Sequence, residues 1–365
     1  MRVTAIIVNW NGGAQLAACL DAFLAQDHPD CDVLVVDNAS TDGSRDLLER
    51  YLRQRKGQTG GGGSHRPALE VIWNATNRGF AGAVNDGLAA TDAPTLLVAN
   101  YDVRPRADYA RRVVAALVAD PRRGAVQGKL VRTVRAPDGR AVIDTTGHVA
   151  FRTRLFRNRG EGEIDVGQWE EPGEIFGVSG ALALYRREML DDVAIDLEGR
   201  REVFDEDLFA FWEDVDLDWR AALRGWTAWY EPAAVAEHER GGAGPRRTRR
   251  VEQLNFQNRL LTVLKCDSPS RLVRHLPGVA FTTLLKAVEL FATVPLAFFA
   301  AFSGVRLVPR MWRKRRVVQG RATVGSTAVV DRWFGPFDYR GWVRTWWRRV
   351  RGVPPGSPVR GMDIC

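Results

Sequence analysis

Four short apolar runs dominate the first hundred residues, Val3–Val8, Val33–Val36, Leu69–Trp73 and Thr95–Ala99, and stretches with helical periodicity separate them. Runs this short and this branched match strands covered on both faces. Strands alternating with helices pair through crossover connections, which commits the chain to βαβ units and a parallel sheet. The spacing predicts helices over Gln15–Ala25, from a Thr41 or Asp42 cap to Leu52, over Gly79–Ala89 and over Tyr109–Val118. The expected fold class is α/β, with a mostly parallel central sheet and helices on both faces. From Ala125 to about Glu174 the pattern shortens and gains Gly and charge, which reads as antiparallel. An apolar run resumes at Ile175–Tyr185, a helix is expected after Phe204 up to Leu223, and Trp226–Tyr230 and Val235–His238 read as closing strands. Gly57–Ser64, with four consecutive glycines, reads as a flexible surface insertion.

Ligands of a parallel sheet lie beyond the carboxyl ends of its strands. Here those ends are polar: Asn9-Trp10-Asn11, the run from Asp37 to Ser44, Asn74 to Gly79, and Asn100-Tyr101-Asp102. No GxGxxG or GxxxxGK[ST] loop is present, which argues against a dinucleotide enzyme or a P-loop ATPase. A nucleotide can still be read through base and ribose, with a metal neutralising its phosphates. Asp102 with Asn100 suits that task, because a hard divalent cation takes a few carboxylate oxygens and completes its shell with phosphate and water. His238 could add a nitrogen ligand, although a lone histidine is more often a structural donor. The run Phe211 to Arg220 sets Glu213, Asp214, Asp216 and Asp218 among large apolar side chains, where burial is costly without a task. Surface pairing is the reading favoured for Asp218.

At 365 residues and 45% hydrophobic, the chain can build one large domain with an appendage. Its four cysteines show no CxxC pair, so a reducing cytosol fits best. The N-terminal apolar stretch is too short for a secretory signal. The net charge of +8 is concentrated in Arg246–Arg250, Arg313–Arg316 and Arg344–Arg351. Between these clusters Leu276–Pro309 is strongly apolar but interrupted by Lys286, Glu289, Pro295 and Arg306, too broken for a spanning helix. Basic clusters, this segment and Trp312, Trp333, Trp342, Trp346 and Trp347 favour a peripheral contact with an anionic membrane over nucleic acid; helices packing on the catalytic domain are the alternative. The organisation expected is a catalytic domain over 1–242 and a helical, basic, Trp-rich segment over 243–365, with the boundary near Gly241–Gly244.

Taken together, Ile6 to Asn11, Val35 to Ser44, Asn77 to Asn85, Asn100 to Val103, Val178 to Ala181, and Phe204 through Arg220 resemble an inverting family-2 glycosyltransferase of the GT-A fold, closest to bacterial rhamnosyltransferase-like members. The resemblance covers roughly residues 1 to 240, with the motifs in the family's order. It implies a sugar transferred from a nucleotide-diphosphate donor, dTDP-rhamnose first and a UDP-sugar next, to a hydroxyl of a cell-surface glycan or lipid-linked acceptor. It implies that Asp37 reads the base, that Asn9, Asn11 and Asn100 line the nucleotide pocket, and that Asn85 lies in the motif closing it. Asp102 matches the last acid of a DxD-type motif holding Mg2+ or Mn2+, His238 a further ligand, and Asp214 the catalytic base. For a base to work near neutral pH its proton affinity should rise, which Phe211, Trp212 and Trp219 would favour by desolvation and Glu213 and Asp216 by like-charge repulsion. Ser179, Gly180, Glu213 and Trp212 would wall the sugar sites. A cytoplasmic protein at the inner face of the cell membrane is expected.

Two positions depart from the pattern: Tyr101 stands where many relatives carry Pro, and Asn100 where the DxD pattern has an acid. Asn100 supplies no charge, so the ion would be held loosely and arrive mainly with the donor. A sugar nucleotidyltransferase is the first rival, but Asn9 to Ala14 lacks the basic residue that grips a triphosphate. A non-catalytic sugar-nucleotide-binding module is the second; the joint presence of Asp37, Asp102, Asp214 and His238 argues against it.

Overall fold

The computed structural model describes residues 1–56, 67–240 and 248–343. The Gly57–Ser64 insertion, the Gly241–Gly244 boundary, the Arg344–Arg351 cluster, Trp346 and Trp347 lie outside the described residues. The first half runs β1 (Val3–Asn9), α1 (Gly13–Leu24), β2 (Cys31–Asp37), α2 (Ser44–Lys56), β3 (Leu69–Trp73), α3 (Gly79–Ala89), β4 (Thr95–Asn100), β5 (Val103–Pro105) and α4 (Tyr109–Val118). It continues through β6 (Arg123–Arg132), β7 (Ile143–Thr145), β8 (His148–Phe151), β9 (Phe156–Asn158), β10 (Gly173–Ile175), β11 (Leu182–Arg186), α5 (Arg187–Val193), β12 (Ile195–Leu197), β13 (Arg200–Glu202), α6 (Glu213–Leu223) and β14 (Thr227–His238).

The main sheet has the order β10-β14-β6-β11-β4-β1-β2-β3, with β5 and β7 branching from β14 and β6. β3, β2, β1 and β4 are mutually parallel. All seven residues of β1 are buried, as expected of a central strand covered on both faces. Because β2 and β4 flank β1 on opposite sides, the crossovers diverge at β1/β4, the kind of switch point at whose carboxyl ends ligands of such sheets bind. Asn9 pairs in register with Asp37, and Val8 with Asn100, so the polar strand ends form one row. The sheet is thus α/β as expected, with β11 running antiparallel between β4 and β6.

Two local expectations are corrected. The acidic helix starts at Glu213, not after Phe204: residues 206–208 form a single 3-10 turn, and Phe209, Phe211 and Trp212 adopt positive φ of 63°, 66° and 74°. Such backbone is strained for bulky residues and persists only where surrounding contacts over-determine it. The two closing strands are one, β14, whose register against β6 slips between Glu231 and Val235. Pro232 lies in that slip, where a missing N–H costs no ladder bond.

The C-terminal helices α7 (Arg249–Cys266), α8 (Pro269–Arg274), α9 (Leu276–Thr293), α10 (Pro295–Ala301), α11 (Val308–Gly320) and α12 (Ser326–Trp333), with β15 (Phe334–Gly335), share a core with the first 240 residues. Cys266, Val318, Val329, Val330 and Phe334 pack with Ala150, Phe176, Ile195, Trp219 and Leu223 in one apolar cluster. Asn258 of α7, fully buried, donates to the carbonyls of Leu208, Ala210 and Phe211 at 2.7, 3.0 and 2.9 Å, which pins the strained loop. The described helices after residue 248 therefore pack on the first part through a shared apolar cluster.

Candidate active site

Asp214 stands in the first turn of α6, with 18% of its side chain exposed. Its Oδ2 accepts from the Gly180 amide at 3.0 Å and its Oδ1 from the Val215 amide at 2.8 Å. Gly180 belongs to the turn leading into β11, and the next residue's carbonyl accepts from the Asn100 amide at 2.9 Å. Two residues beyond Asn100 is Asp102, so hydrogen bonds link the surroundings of Asp214 to those of Asp102 along one rim of the sheet. Gly180 is close-packed: a Cβ there would lie 3.3 Å from Phe80 and 3.6 Å from the Asp214 Cβ. Ser179 is buried, its amide donating to Gln127 Oε1 at 2.7 Å.

Asp102 and His238 meet because β5 pairs antiparallel with β14, bringing Val103 opposite His238. His238 Nε2 lies 3.3 Å from Asp102 Oδ1, and its Nδ1 is 2.7 Å from Asp144 Oδ2. Burial alone would lower the His238 pKa, but Asp102 and Asp144 raise it to about 9. Asp144, 1% exposed and also approached by Arg132 and Arg240, escaped the sequence reading because nothing around Ile143–Thr145 marks it. Asp102 Oδ1 is buried without a hydrogen bond.

At the other end of the row, Asp37 is 3% exposed; its Oδ1 accepts from Asn9 Nδ2 at 2.7 Å and its Oδ2 from the Ser40 amide at 3.2 Å. Asn9 Oδ1 is buried and unpartnered. Asn11, at φ 54°, accepts from the Thr41 amide through Oδ1 at 2.7 Å. Asn100 ends β4 between these groups and Asp102. Asn85 is placed otherwise than expected: its amide donates to the Phe204 carbonyl at 2.8 Å and to Glu206 at 3.1 Å, and accepts from the Phe204 amide at 2.9 Å. Those bonds occupy the side chain in anchoring the segment before α6.

The other acids of α6 divide by environment. At Glu213 burial, then Asp214 and Asp216, push the carboxyl well above its ordinary value, and its Oε2 has no hydrogen bond. Asp216, fully buried, pairs with Arg220 at 2.9 Å and Lys265 at 2.8 Å. Asp218 is not a surface residue: it is 5% exposed, its two oxygens accept the Val178 amide at 3.1 Å, and its Oδ2 is 2.8 Å from His148 Nδ1. The ring of Trp212 packs edge-on to Phe156 at 5.5 Å, while Phe211 is 39% exposed.

Asp218 occupies the space a side chain would need at position 177, since a Cβ on Gly177 would lie 1.9 Å from its Oδ2. Gly177→Ala is expected to destabilise by about 1–3 kcal/mol through overpacking; thermal unfolding of the variant checks it.

The family model for glycosyl transferase family 2 matches residues 4–194, just over half of the chain, and ends before Glu213 and Asp214. A Nostoc sp. protein described as an uncharacterized glycosyltransferase is 30% identical over 102 residues, 28% of each chain. Among solved structures, GalNAc-T7 with UDP, GalNAc and Mn2+ superposes with a TM-score of 0.59 at 12% identity, over 91% of this chain and 56% of that one. A mannosyltransferase from Pyrobaculum calidifontis in complex with GDP-Man and Mn2+ gives 0.49 at 20% identity, over 91% and 87%. The chain thus spans well under two thirds of the first two, and the structural likeness is one of fold. On the match to the family model, over a sheet of the expected topology, the chain belongs to glycosyl transferase family 2.

Proposed function

We propose that the protein transfers a sugar from a nucleoside-diphosphate donor to an acceptor hydroxyl with inversion, the donor lying in the crevice at β1/β4 and the acceptor beside α6. The observation carrying this is the placement of Asp214 on the Gly180 amide, one hydrogen-bonded step from the strand that delivers Asp102. Asp37 and Asn9, with the Asn11 turn, line the base and ribose end. Asn100 and Asp102 lie toward the diphosphate.

The residues fit a divalent cation. Asp102 Oδ1 is buried without a hydrogen bond, 3.3 Å from His238 Nε2, and Asp144 fixes the ring through Nδ1, a usual support for a ligating histidine; a cation here would take the place of the proton that the two acids favour on the ring. No group of three or more ligating side chains occurs among the described residues, so the diphosphate and water would complete the shell. Bound there, Mg2+ or Mn2+ would neutralise charge on the leaving diphosphate. The acceptor oxygen attacks the anomeric carbon as the bond to the diphosphate breaks, and its proton passes to the Asp214 carboxylate. Single displacement inverts the anomeric configuration.

dTDP-rhamnose is the donor favoured, followed by UDP-sugars, and a lipid-linked or cell-surface glycan the acceptor. The lipid reading is supported by α9, α10 and the turn that follows, where Leu284, Phe291, Leu296, Phe299 and Phe302 are each more than half exposed. Contrary to the expectation that this segment is too broken to span, helix α9 by itself is long and apolar enough to cross a membrane by length and composition alone, because Pro295 and Arg306 fall beyond its end. With Arg274, Arg306 and Arg316 exposed nearby in sequence, this surface suits peripheral contact with anionic lipid at the inner face of the cell membrane. Co-sedimentation with vesicles should require anionic lipid and the five apolar side chains.

The donor site is tested by thermal shift with dTDP- and UDP-sugars, with and without Mn2+. A Mn2+-dependent rise in Tm with a nucleotide sugar is expected, lost in Asp102→Ala and His238→Ala. A wild-type response in both variants would reject the metal assignment.

A further inference from the structure

His148 is a buried histidine with no role in the scheme above, and it stands between two carboxylates of α6. Asp214 and Asp218 are one helical turn apart and project from the same face. Both grip the turn before β11, Asp214 through the Gly180 amide and Asp218 through the Val178 amide. His148 opens β8, its backbone amide donating to the Gly177 carbonyl at 2.8 Å, so its ring enters from beneath that turn. Its Nδ1 is 2.8 Å from Asp218 Oδ2 and its Nε2 is 3.7 Å from Asp214 Oδ2. The ring is 6% exposed.

We propose that His148, as an imidazolium held by Asp218, is a positioning residue for Asp214: it fixes the Oδ2 side of the carboxylate and compensates its charge before the acceptor proton is taken. The inference rests on Asp214 being the base. Two carboxylates this close and this buried repel one another, and a cation between them relieves the repulsion. Burial opposes charge on His148, yet Asp214 and Asp218 raise its pKa; burial also raises Asp218, to about 6, against the pull of His148. Both shifts favour the form of the pair that carries a proton. Glu213 of α6 and Tyr185 of β11 complete the titratable groups gathered here; Tyr185 is buried, its hydroxyl unpartnered and held protonated by burial and these three acids. His148 keeps its proton through the reaction; only the acceptor O–H bond breaks, with that proton ending on Asp214.

The test compares His148→Gln, Asp218→Asn and Asp214→Asn in steady-state transfer across pH. Asp218→Asn can donate to Nδ1, which favours a neutral ring with its hydrogen on Nε2. Both His148→Gln and Asp218→Asn should lower kcat roughly 10–100-fold, as loss of an orienting partner does, with donor KM within about twofold. The alkaline fall of kcat caused by loss of the pair's proton should disappear in His148→Gln. Wild-type kcat and pH profile in His148→Gln, with Asp214→Asn inactive, would overturn this inference alone. An active Asp214→Asn would overturn the base assignment and this inference with it. Should His148→Gln fail to fold, Asp218→Asn decides: wild-type kcat there rejects the imidazolium.

Discussion

Asp214→Asn is expected to lower kcat for sugar transfer roughly 10²–10⁴-fold, the range attributable to a positioned general base, while donor KM stays near the wild-type value. The amide keeps the size of the side chain and can still accept the Gly180 N–H through its oxygen, so the turn before β11 should hold its shape. Donor affinity should survive because the proposed nucleotide end, from Asn9 and Asp37 to Asp102, stands on and just beyond the parallel strands rather than on α6. The measurement is initial-rate transfer at saturating acceptor, with donor-induced thermal shift as the binding control. Loss of donor binding together with rate would place Asp214 in the donor pocket and remove it from the role of base.

The second large effect is on stability. Lys265 of α7 is fully buried and bridges Asp205, before the strained loop, to Asp216 of α6. Lys314 of α11, also fully buried, closes the cluster through Asp205, Glu202 at 2.8 Å and Asp207 at 2.7 Å. Replacing Lys265 by Met breaks two buried pairs at once and leaves Asp205 with Lys314 and Asp216 with Arg220 as their remaining cations, which costs about 3–5 kcal/mol. Urea unfolding should show a midpoint lowered accordingly; a change below about 1 kcal/mol would mean the cluster is solvated. The same cluster predicts acid sensitivity. Burial alone would raise Asp205, but the two lysines hold it well below its ordinary 3.8. Its contribution is therefore complete above that value and fades as pH falls toward its lower folded-state pKa. Wild-type stability should drop more steeply below about pH 4 than that of Lys265→Met.

Much of this was legible in the chain itself. β3, α3 and α4 have the bounds expected, because their burial pattern is local. The rim residues Asn9, Asp37, Asn100 and Asp102 were readable as polar ends of apolar strands, since a parallel sheet puts those ends on one side. The start of α6 was not legible. Nothing local tells Phe209, Phe211 and Trp212 to take positive φ; that conformation is imposed by Asn258, some fifty residues away in sequence. His148 and Asp144 were invisible for the same reason, being unremarkable until β8 and β7 bring them against α6 and β14.

Charge shows the division most plainly. A surplus of +8 reads as a basic surface. Yet Lys265, Lys314, Arg154 and Arg220 are buried against acids, Arg154 on Asp267 at 2.8 Å and Arg220 on Asp216 at 2.9 Å. The sequence by itself determined the alternation of strands and helices and the polar rim, because side-chain periodicity and strand direction are properties of neighbouring residues. Only the tertiary structure decided which acids are paired, which stays partly exposed and which histidine stands behind it. Those outcomes depend on distances between residues remote in the chain, and the energy of a charge is set by what the fold places within a few ångströms of it.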